Sequence, residues 1–305
     1  VLVTGASGFL GRHVTAHLAD AGWSVTGAVR SRTAHGIPAV HVTGTETASA
    51  LRPLVKGCTA VVHLAGRAHV IRETAADPAA AFRLANADLA ARFAQAADAE
   101  GVKDFILMSS IAAVSNSEST TVSDDQPASP DTDYGRSKLE GEDAVERCAA
   151  DTHMRVVCLR PPMIYGEYMQ GNPLRLFRQI VRRLPVPAAR PPVLRSMMYA
   201  GNLAEAVSAT LSDDHVQGRF CVADQPAMSV DAFVRGAADA MGVRALLLPL
   251  PAWLLQHVGT LQRMTRPLVV DDSRFRGVSG FQPPYTTDDA IRRTAAWYSS
   301  SQGEP

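Results

Sequence analysis

Short apolar runs alternate with longer, Ala-rich amphipathic stretches over the first half of the chain. The short runs predict strands, and the longer stretches, with apolar residues three or four apart, predict helices. The predicted strands are Val1–Thr4, Ser24–Val29, Ala60–Leu64, Asp104–Ser109 and Arg155–Leu159, with a weaker one at Ala39–Val42. The predicted helices are Gly8–Ala21, Thr47–Val55, Ala76–Glu100 and Asp133–Ala150. Because such alternation is typical of βαβ units, we expect an α/β fold with a parallel sheet and helices on both faces.

This alternation stops in the second half, which indicates a smaller and mainly helical lobe. The predicted helices there are Pro173–Arg183, Leu203–Ser212, Val230–Met241, Trp253–Met264 and Asp288–Tyr298. We predict one domain over residues 1–165 and the lobe over 166–305, with a strand at Arg219–Val222 that rejoins the first domain's sheet. The Pro-rich stretch Leu184–Val193 is predicted to be a loop, and the polar stretch Ser115–Asp125 a mobile surface loop.

The composition is that of an ordinary globular protein of 305 residues, 46% hydrophobic and 20% charged. Thirty Lys and Arg balance thirty Asp and Glu, so no net field favours nucleic acid, and a small-molecule partner is expected. Among the cations only Lys56, Lys103 and Lys138 are lysines, so any role that needs an ammonium has three candidates.

The cysteines lie far apart and form no C-x-x-C pair, which predicts reduced thiols in a cytoplasmic protein without a metal site. They are Cys58, Cys148, Cys158 and Cys221. The most apolar stretch, Leu246–Val258, is interrupted by Pro249 and Pro251 and is too short to span a bilayer core of ~30 Å. We therefore expect no integral membrane segment.

A glycine-rich turn follows the first predicted strand and opens the first helix. Its sequence is Thr4-Gly5-Ala6-Ser7-Gly8-Phe9-Leu10-Gly11, with glycines spaced G-x-x-G-x-x-G. Glycines in this context allow a tight turn, close backbone approach to a pyrophosphate, and close packing of the helix on the strand, while the helix N-terminus attracts the anion. The turn predicts a dinucleotide site in a Rossmann-type, doubly wound sheet.

Basic residues end the second predicted strand, where an acidic residue would bind the 2′-hydroxyl of NAD. The sequence there is Ala28-Val29-Arg30-Ser31-Arg32. A guanidinium suits the 2′-phosphate of NADP, and Arg12 is expected to join Arg30 and Arg32 in binding it. NADP(H) is therefore favoured over NAD(H), with solvated surface arginines as the alternative.

A tyrosine and a lysine lie four residues apart in Tyr134-Gly135-Arg136-Ser137-Lys138, so both occupy one face of a helix. A phenol with a pKa of ~10 is a poor base near neutrality, whereas a neighbouring ammonium and a bound nicotinamide cation favour the phenolate. Lysine can also bind the nicotinamide ribose. That one of only three lysines stands here favours a chemical role for Lys138.

Two serines, Ser109 and Ser110, end a predicted strand whose carboxyl end faces the ligand crevice of such a sheet. Ser110 is a candidate to hold the substrate oxygen whose proton Tyr134 moves, and Ser109 a candidate cofactor contact. A simple turn or N-cap role is the alternative for a serine at this place.

Together these residues resemble the extended short-chain dehydrogenase/reductases, specifically the nucleotide-sugar epimerase, dehydratase and reductase group. The likeness runs from Val1 to about Tyr298. Beyond the glycine turn and the Tyr/Lys and Ser/Ser pairs, it rests on Val62-His63-Leu64-Ala65-Gly66, on Asn86, and on Leu159-Arg160-Pro161-Pro162-Met163-Ile164-Tyr165-Gly166.

The resemblance implies roles for individual residues. Tyr134 would be the acid/base, Lys138 its tuner and ribose ligand, and Ser110 the group that orients the substrate oxygen. Asn172 and Arg195 would meet the diphosphate of the substrate, although Arg195 could equally be an exposed structural arginine. The implied cofactor contacts are Gly5, Ser7, Gly8, Phe9, Leu10, Gly11, Arg12, Arg30, Arg32, Leu64, Ala65, Gly66, Ser109, Tyr134, Lys138 and Pro161.

The likeness also implies a homodimer, formed as a four-helix bundle by the helices that carry Asn86 and Tyr134. Two departures restrict the chemistry. Ile111-Ala112-Ala113 replaces the acidic pair of the sugar dehydratases, and Met163 replaces an asparagine that meets the sugar diphosphate. Water elimination therefore lacks its acid, whereas hydride transfer at a carbonyl or carbinol carbon does not. A narrower likeness, to bacterial sugar 4-reductases and 4-epimerases of polysaccharide synthesis, rests on Gly66–Val70 and Leu248–Pro251.

Two further patterns favour structural roles. His13 and His17 are spaced like a metal pair but lack a third ligand, so they are predicted to lie on a helix's solvent face. Trp253, Leu254 and Leu255, with Val258 and Leu261, are predicted to form a core or dimer-packing stripe in preference to a membrane-touching helix.

We therefore predict an NADP(H)-dependent 4-keto reductase of a nucleotide-activated sugar. A nucleotide-sugar 4-epimerase that holds NAD tightly is the nearest alternative. A reductase of a non-nucleotide ketone or aldehyde, and a non-catalytic dinucleotide-binding protein, are the others.

Overall fold

The computed structural model describes residues 1–30, 36–68, 75–255 and 266–301. The strands are β1 Leu2–Thr4, β2 Thr26–Val29, β3 Ala39–His41, β4 Ala60–His63, β5 Asp104–Met108, β6 Thr121–Val122, β7 Arg155–Arg160, β8 Met163–Tyr165, β9 Val186–Arg190, β10 Leu194–Arg195, β11 Met197–Tyr199, β12 Gly218–Cys221, β13 Met228–Ser229, β14 Leu247–Pro251 and β15 Val269–Val270.

The α-helices are α1 Phe9–Asp20, α2 Ala48–Val55, α3 Pro78–Arg83, α4 Leu89–Ala99, α5 Asp133–Ala149, α6 Gly171–Val181, α7 Ala200–Ser212, α8 Val230–Ala240, α9 Ala252–Leu255, α10 Ser273–Ser279 and α11 Thr287–Ser301. Side-chain caps start several of them: Thr47, Asp77, Thr132 and Ser229 each accept a bond from the backbone N–H three residues on. A π-helical turn, Leu84–Asp88, joins α3 to α4.

Seven strands form one parallel sheet in the order β12-β7-β5-β4-β1-β2-β3. Apolar side chains cover both faces. Helices α1 and α7 pack on one face and α2, α4 and α5 on the other, which accounts for the nearly continuous burial of β4, β5 and β7. The predicted doubly wound α/β fold is confirmed.

The remaining elements form a lobe beside the carboxyl ends of β5 and β7. Its core includes Tyr165, Phe177, Phe233, Ile291 and Tyr298, which belong to β8, α6, α8 and α11. Four two-stranded sheets border it, pairing β8 with β11, β9 with β14, β10 with β13 and β6 with β15. The predicted strand at Arg219–Val222 is β12, and it extends the large sheet beside β7.

Three sequence predictions of local structure were wrong. Leu184–Val193 contains β9, because proline is tolerated in a strand that pairs on one side only. Ser115–Asp125 contains β6, where Val122 is fully buried against β15, so the stretch is anchored to the lobe. The single helix Ala76–Glu100 is divided by the π-helical turn. Of the predicted helix Trp253–Met264, residues 256–264 lie outside the described part of the chain.

Candidate functional site

The glycine turn lies where β1 ends, at the carboxyl edge of the sheet. Gly5 has φ +68°, and a Cβ there would lie 3.0 Å from the Ala65 nitrogen. A Cβ at Gly11 would overlap the turn's own backbone, 2.7 Å from the Ala6 Cα. Helix α1 starts at Phe9 without a side-chain cap, so no protein side chain takes the place of an anion at its first turn. The turn therefore fits a pyrophosphate.

The non-glycine residues of the turn point elsewhere. The Phe9 side chain packs against the lobe's core, and Leu10 packs against the core beneath the sheet. The Ser7 carbonyl accepts a bond of 3.5 Å from Arg12 Nε. Of these residues, Phe9 and Leu10 therefore have only backbone groups available for a dinucleotide.

The predicted arginine clamp is only partly visible. The Arg12 guanidinium lies 4.6 Å from the centre of the Tyr168 ring, in the loop after β8, so it is directed toward the lobe. Arg30 is exposed at the end of β2. Arg32 lies outside the described residues. Of the two described members of the clamp, Arg30 therefore lies at the end of β2 as predicted, and Arg12 is directed elsewhere.

The loop after β4 lies against the glycine turn. Thr4 Oγ1 accepts a bond of 3.1 Å from the Ala65 N–H and contacts His63 Nδ1 at 3.0 Å. Burial, with a smaller contribution from the Lys138 charge, lowers the pKa of His63 to about 3, so this ring is neutral. The Thr4 hydroxyl thus holds Leu64, Ala65 and Gly66 beside the dinucleotide site.

Asn86 connects this loop to α5. Its amide nitrogen donates to the Arg67 carbonyl (3.0 Å) and to Ser137 Oγ (2.9 Å), and its oxygen accepts from the Arg67 N–H (2.8 Å). The residue is buried in the π-helical turn, a distortion often found at functional sites. The Ser137 hydroxyl in turn donates to the Tyr134 carbonyl (2.8 Å). Asn86 was singled out only through the resemblance, because its partners are distant in sequence.

Ser110, Tyr134 and Lys138 meet beneath Gly66. Tyr134 hydrogen-bonds to Ser110, and its ring lies 6.0 Å from that of Phe82. Lys138 Nζ is buried and donates to the Met108 carbonyl at 2.8 Å. A Cβ at Gly66 would lie 3.3 Å from Lys138 Nζ, so the ammonium borders the dinucleotide site.

The electrostatics differ from the sequence expectation. Burial raises the pKa of Tyr134, and the Ser110 bond offsets part of this rise. Burial lowers the pKa of Lys138 to about 8, and the Glu142 carboxylate opposes this. The expected lowering of the tyrosine pKa by the ammonium is therefore not met in the protein alone, because burial dominates and Tyr134 is a protonated phenol at neutral pH.

Ser109 belongs to a buried ion cluster behind this site. Its hydroxyl donates to Glu142, which is fully buried and accepts two bonds, of 2.9 and 2.6 Å, from Arg160. Arg219 of β12 adds a second cation at 3.3 Å. The Ser109 N–H is also taken by the Leu159 carbonyl, so neither the hydroxyl hydrogen nor the N–H of Ser109 is free to donate to a cofactor. The Glu142 cluster was missed because its partners Ser109, Arg160 and Arg219 are distant from it in sequence.

The remaining predicted site residues are the cofactor candidate Pro161 and the substrate candidates Asn172 and Arg195. Pro161 is buried, and its carbonyl accepts from the Ile111 N–H (3.1 Å) next to Ser110. Asn172 is exposed in the first turn of α6. Arg195 donates to the Arg266 carbonyl (3.0 Å) and lines a small cavity together with Asp224.

The expected solvent-facing histidines are instead contacts between elements. His13 Nε2 donates to the Glu167 carbonyl at 2.9 Å, and His17 pairs with Glu205 of α7 at 3.0 Å. Within the described ranges, no three His, Cys, Asp or Glu residues are grouped to hold a metal ion. Over the same residues, no helix is long and apolar enough to cross a membrane.

The fold and this arrangement define a class: dinucleotide-dependent enzymes of the short-chain dehydrogenase/reductase type, which combine a glycine turn with a Ser, Tyr and Lys set at the carboxyl edge of the sheet. Residues 1–231 match the model of the NAD dependent epimerase/dehydratase family. The chain belongs to that family, and its members are enzymes, which removes the non-catalytic alternative.

Comparison with individual proteins agrees with this family assignment. The chain is 31% identical over 311 residues to a UDP-glucose 4-epimerase of Vibrio cholerae, covering 97% of this chain and 94% of the relative. It is 34% identical to a ceramide reductase of Caulobacter vibrioides, covering 82% and 73%. A solved structure of MoeE5 in complex with UDP-glucuronic acid and NAD superposes with a TM-score of 0.80 at 23% identity, over 98% of this chain and 99% of that one, and shares the fold.

Proposed function

We propose that the protein interconverts a carbinol and a carbonyl at one carbon of a nucleotide-activated sugar, and that its net reaction is 4-epimerisation. The observation that carries this proposal is the convergence of Ser110, Tyr134 and Lys138 beside Gly66. The similarity to a UDP-glucose 4-epimerase over nearly the full chain supports the choice of reaction.

The residues present fit a nicotinamide dinucleotide. The cradle of Gly5, Gly8 and Gly11, together with the uncapped start of α1, would hold its pyrophosphate. Leu64, Ala65 and Gly66 would border its middle, and Lys138 would reach its ribose. When bound, the dinucleotide supplies a hydride acceptor and donor.

The protein's own groups move the proton and place the oxygen. Tyr134 would give a proton to, or take one from, the substrate oxygen, and Ser110 would hold that oxygen within hydrogen-bond reach. The charge of Lys138 favours the phenolate when the proton must leave Tyr134. The residues after Ser110 are Ile111, Ala112 and Ala113, so this stretch offers no acid for water elimination.

A net reduction is the second candidate, and specific observations favour it. Arg30 is exposed directly after β2, where the sequence predicts a contact with the 2′-phosphate of NADP, and Tyr134 is protonated at rest, as a proton donor to a carbonyl must be. Met163, 39% exposed on β8, replaces the asparagine expected to meet a sugar diphosphate, and one relative is named a ceramide reductase. A carbonyl substrate without a nucleotide would suit Met163 at this position.

The test begins with the purified protein. We would denature it, identify the released dinucleotide by mass spectrometry, and then follow UDP-glucose and UDP-N-acetylglucosamine by NMR without added cofactor. A 4-epimerase would release NAD and produce the C4 epimer. A reductase would consume added NADPH in equimolar amounts with a 4-keto sugar, or with a lipid or free ketone if the second candidate extends beyond nucleotides.

Tyr134→Phe should lower turnover by about 10²–10⁴-fold, because it removes the proton donor and leaves the fold intact. Tyr285→Phe is the matched control, since its ring contact with Arg293 does not need the hydroxyl. Full activity of Tyr134→Phe on the proper substrate would refute the mechanism.

We also propose that two copies associate through α4 and α5 as a four-helix bundle. Ala91 and Ala144 leave a shallow concavity between these helices, bordered by Gln95, Asp98 and Arg147. Light scattering coupled to size exclusion tests this, and Ala144→Arg should convert a dimer to a monomer if the small side chain allows the helices to meet.

A further inference from the structure

One edge of the lobe exposes large apolar side chains. We define the lobe edge by Val181 and Leu184 before β9, Leu246 directly before β14, Leu248 on β14, and Trp253 and Leu254 on α9. Their exposed fractions lie between 38% for Val181 and 63% for Trp253. Of the predicted core or dimer-packing stripe, the core alternative is wrong for Trp253 and Leu254, which are exposed, although Leu255 is buried. The dimer-packing alternative stays a prediction.

Backbone pairing brings these residues together. β14 runs parallel to β9 with Leu247 beside Val186, and the Val186 N–H donates to the Leu246 carbonyl at 2.8 Å. Leu184 and Leu246 therefore lie at the same end of the strand pair, and α9 follows its other end. Alternation along β14 directs Leu246 and Leu248 outward, while Val186 on the neighbouring strand is buried in the core. The lobe edge is thus one side of the two-stranded sheet, about 16 Å long at ~3.3 Å per residue.

The lobe edge is also strongly basic, which the balanced total charge conceals. From Tyr168 to Ala204 the sequence has six arginines and no acidic residue, and from Ala240 to Leu255 it has Arg244 and no acidic residue. Arg182 and Arg183 are exposed directly between Val181 and Leu184, and Arg244 is exposed two residues before Leu246. Arg190 is the exception, since it pairs with Asp231.

We propose that the lobe edge docks on an anionic lipid bilayer. Leucine and tryptophan side chains interleaved with arginines combine apolar insertion with attraction to anionic headgroups, as in proteins that lie on a membrane surface. Isolated exposed leucines are common, but a cluster of this size interleaved with exposed arginines is not. This inference does not depend on which substrate the site takes.

The experiment is flotation of the full protein with vesicles of phosphatidylcholine alone, or with 30% phosphatidylglycerol. Each arginine near an anionic surface adds about fivefold to partitioning, so the three exposed arginines predict about 100-fold preference for the anionic vesicles. Raising the salt to 0.5 M should remove most of it. These wild-type measurements do not depend on any variant folding, and absence of binding to anionic vesicles overturns the proposal.

Variants then locate the surface. Arg182→Glu/Arg183→Glu should lower anionic partitioning by at least 25-fold, and Trp253→Ser by about tenfold, while Arg235→Glu and Val278→Ser, exposed on α8 and α10, should leave it within twofold. Binding that both lobe-edge variants retain would place the contact elsewhere and refute the assignment. A dimer in solution that Trp253→Ser dissociates, without vesicle binding, would show that a second copy covers the lobe edge.

Discussion

The buried carboxylate of Glu142 gives a prediction whose size follows from its contacts. Glu142 is fully buried, and its main partner Arg160 is 3% exposed. Removing one member of such a pair leaves an uncompensated buried charge and costs about 3–5 kcal/mol. The Ser109 hydroxyl loses its acceptor as well, at about 1 kcal/mol. Arg219 keeps Asp143 and Glu146 as partners, so it adds little.

We therefore expect Glu142→Ala to lower the free energy of unfolding by about 4–6 kcal/mol. At roughly 2 °C per kcal/mol for a chain of this size, Tm should fall by about 8–12 °C. Circular dichroism during heating, with urea unfolding as the second measurement, checks the value. Glu100→Ala is the control, because its partner Arg52 is half-exposed and the pair is worth less than about 1 kcal/mol.

A double variant separates charge burial from packing. Glu142→Leu/Arg160→Met removes both charges and should be more stable than Glu142→Ala, because no charge stays unpaired.

Glu142→Gln should also lower the pKa of Lys138 below about 8, since the carboxylate raises it, and so reduce activity at pH 8 relative to pH 6.5. A Tm for Glu142→Ala within 2 °C of the wild type would contradict this reasoning.

Three further predictions concern neighbouring residues. Gly66→Ala places a Cβ 2.7 Å from Asn86 Oδ1 and 3.3 Å from Lys138 Nζ. Turnover should therefore fall about 10- to 100-fold, and calorimetry should show weaker dinucleotide binding. Unchanged turnover and binding would mean that the loop shifts to make room for the methyl group. Asn86→Leu removes two hydrogen bonds to the Arg67 backbone and one to Ser137, and should cost about 2–4 kcal/mol in urea unfolding. Burial raises the pKa of Asp224 from 3.8 to about 6, so protonation of this carboxyl adds roughly 3 kcal/mol to the free energy of unfolding. This contribution is complete below pH 3.8 and is lost as the pH rises through 6. Asp224→Asn should therefore lack this slope of unfolding free energy between about pH 4 and 7.

Much of the sheet could be predicted because its pattern is local. β1, β4, β5 and β7 each bury nearly every residue, so an apolar run is itself the signal, and the predicted bounds differ from the observed ones by at most two residues. The lobe was harder because its strands pair with distant segments. Val122 is buried only because β15 arrives beside it, and β9 contains a proline that a central strand would exclude.

The site divides in the same way. Tyr134 and Lys138 could be paired from their spacing, since i and i+4 share a helix face. Ser110 was predicted to act with Tyr134, and the two side chains are hydrogen-bonded. The burial of Ser109 against Glu142 could not be predicted, because this contact joins residues that are distant in sequence. The raised pKa of Tyr134 could not be predicted from the sequence either, because it reflects burial by residues from several elements.

The return of β12 to the large sheet has a consequence for how the chain assembles. Gly218 pairs with Val157 only after the segment that forms much of the lobe has been made. A ribosome-bound fragment ending near residue 165 would therefore leave β7 as an open edge and Glu142 without its Arg219 contact. The nucleotide-binding half is thus completed late in synthesis, and truncation at the apparent boundary should yield a chain that aggregates through that edge.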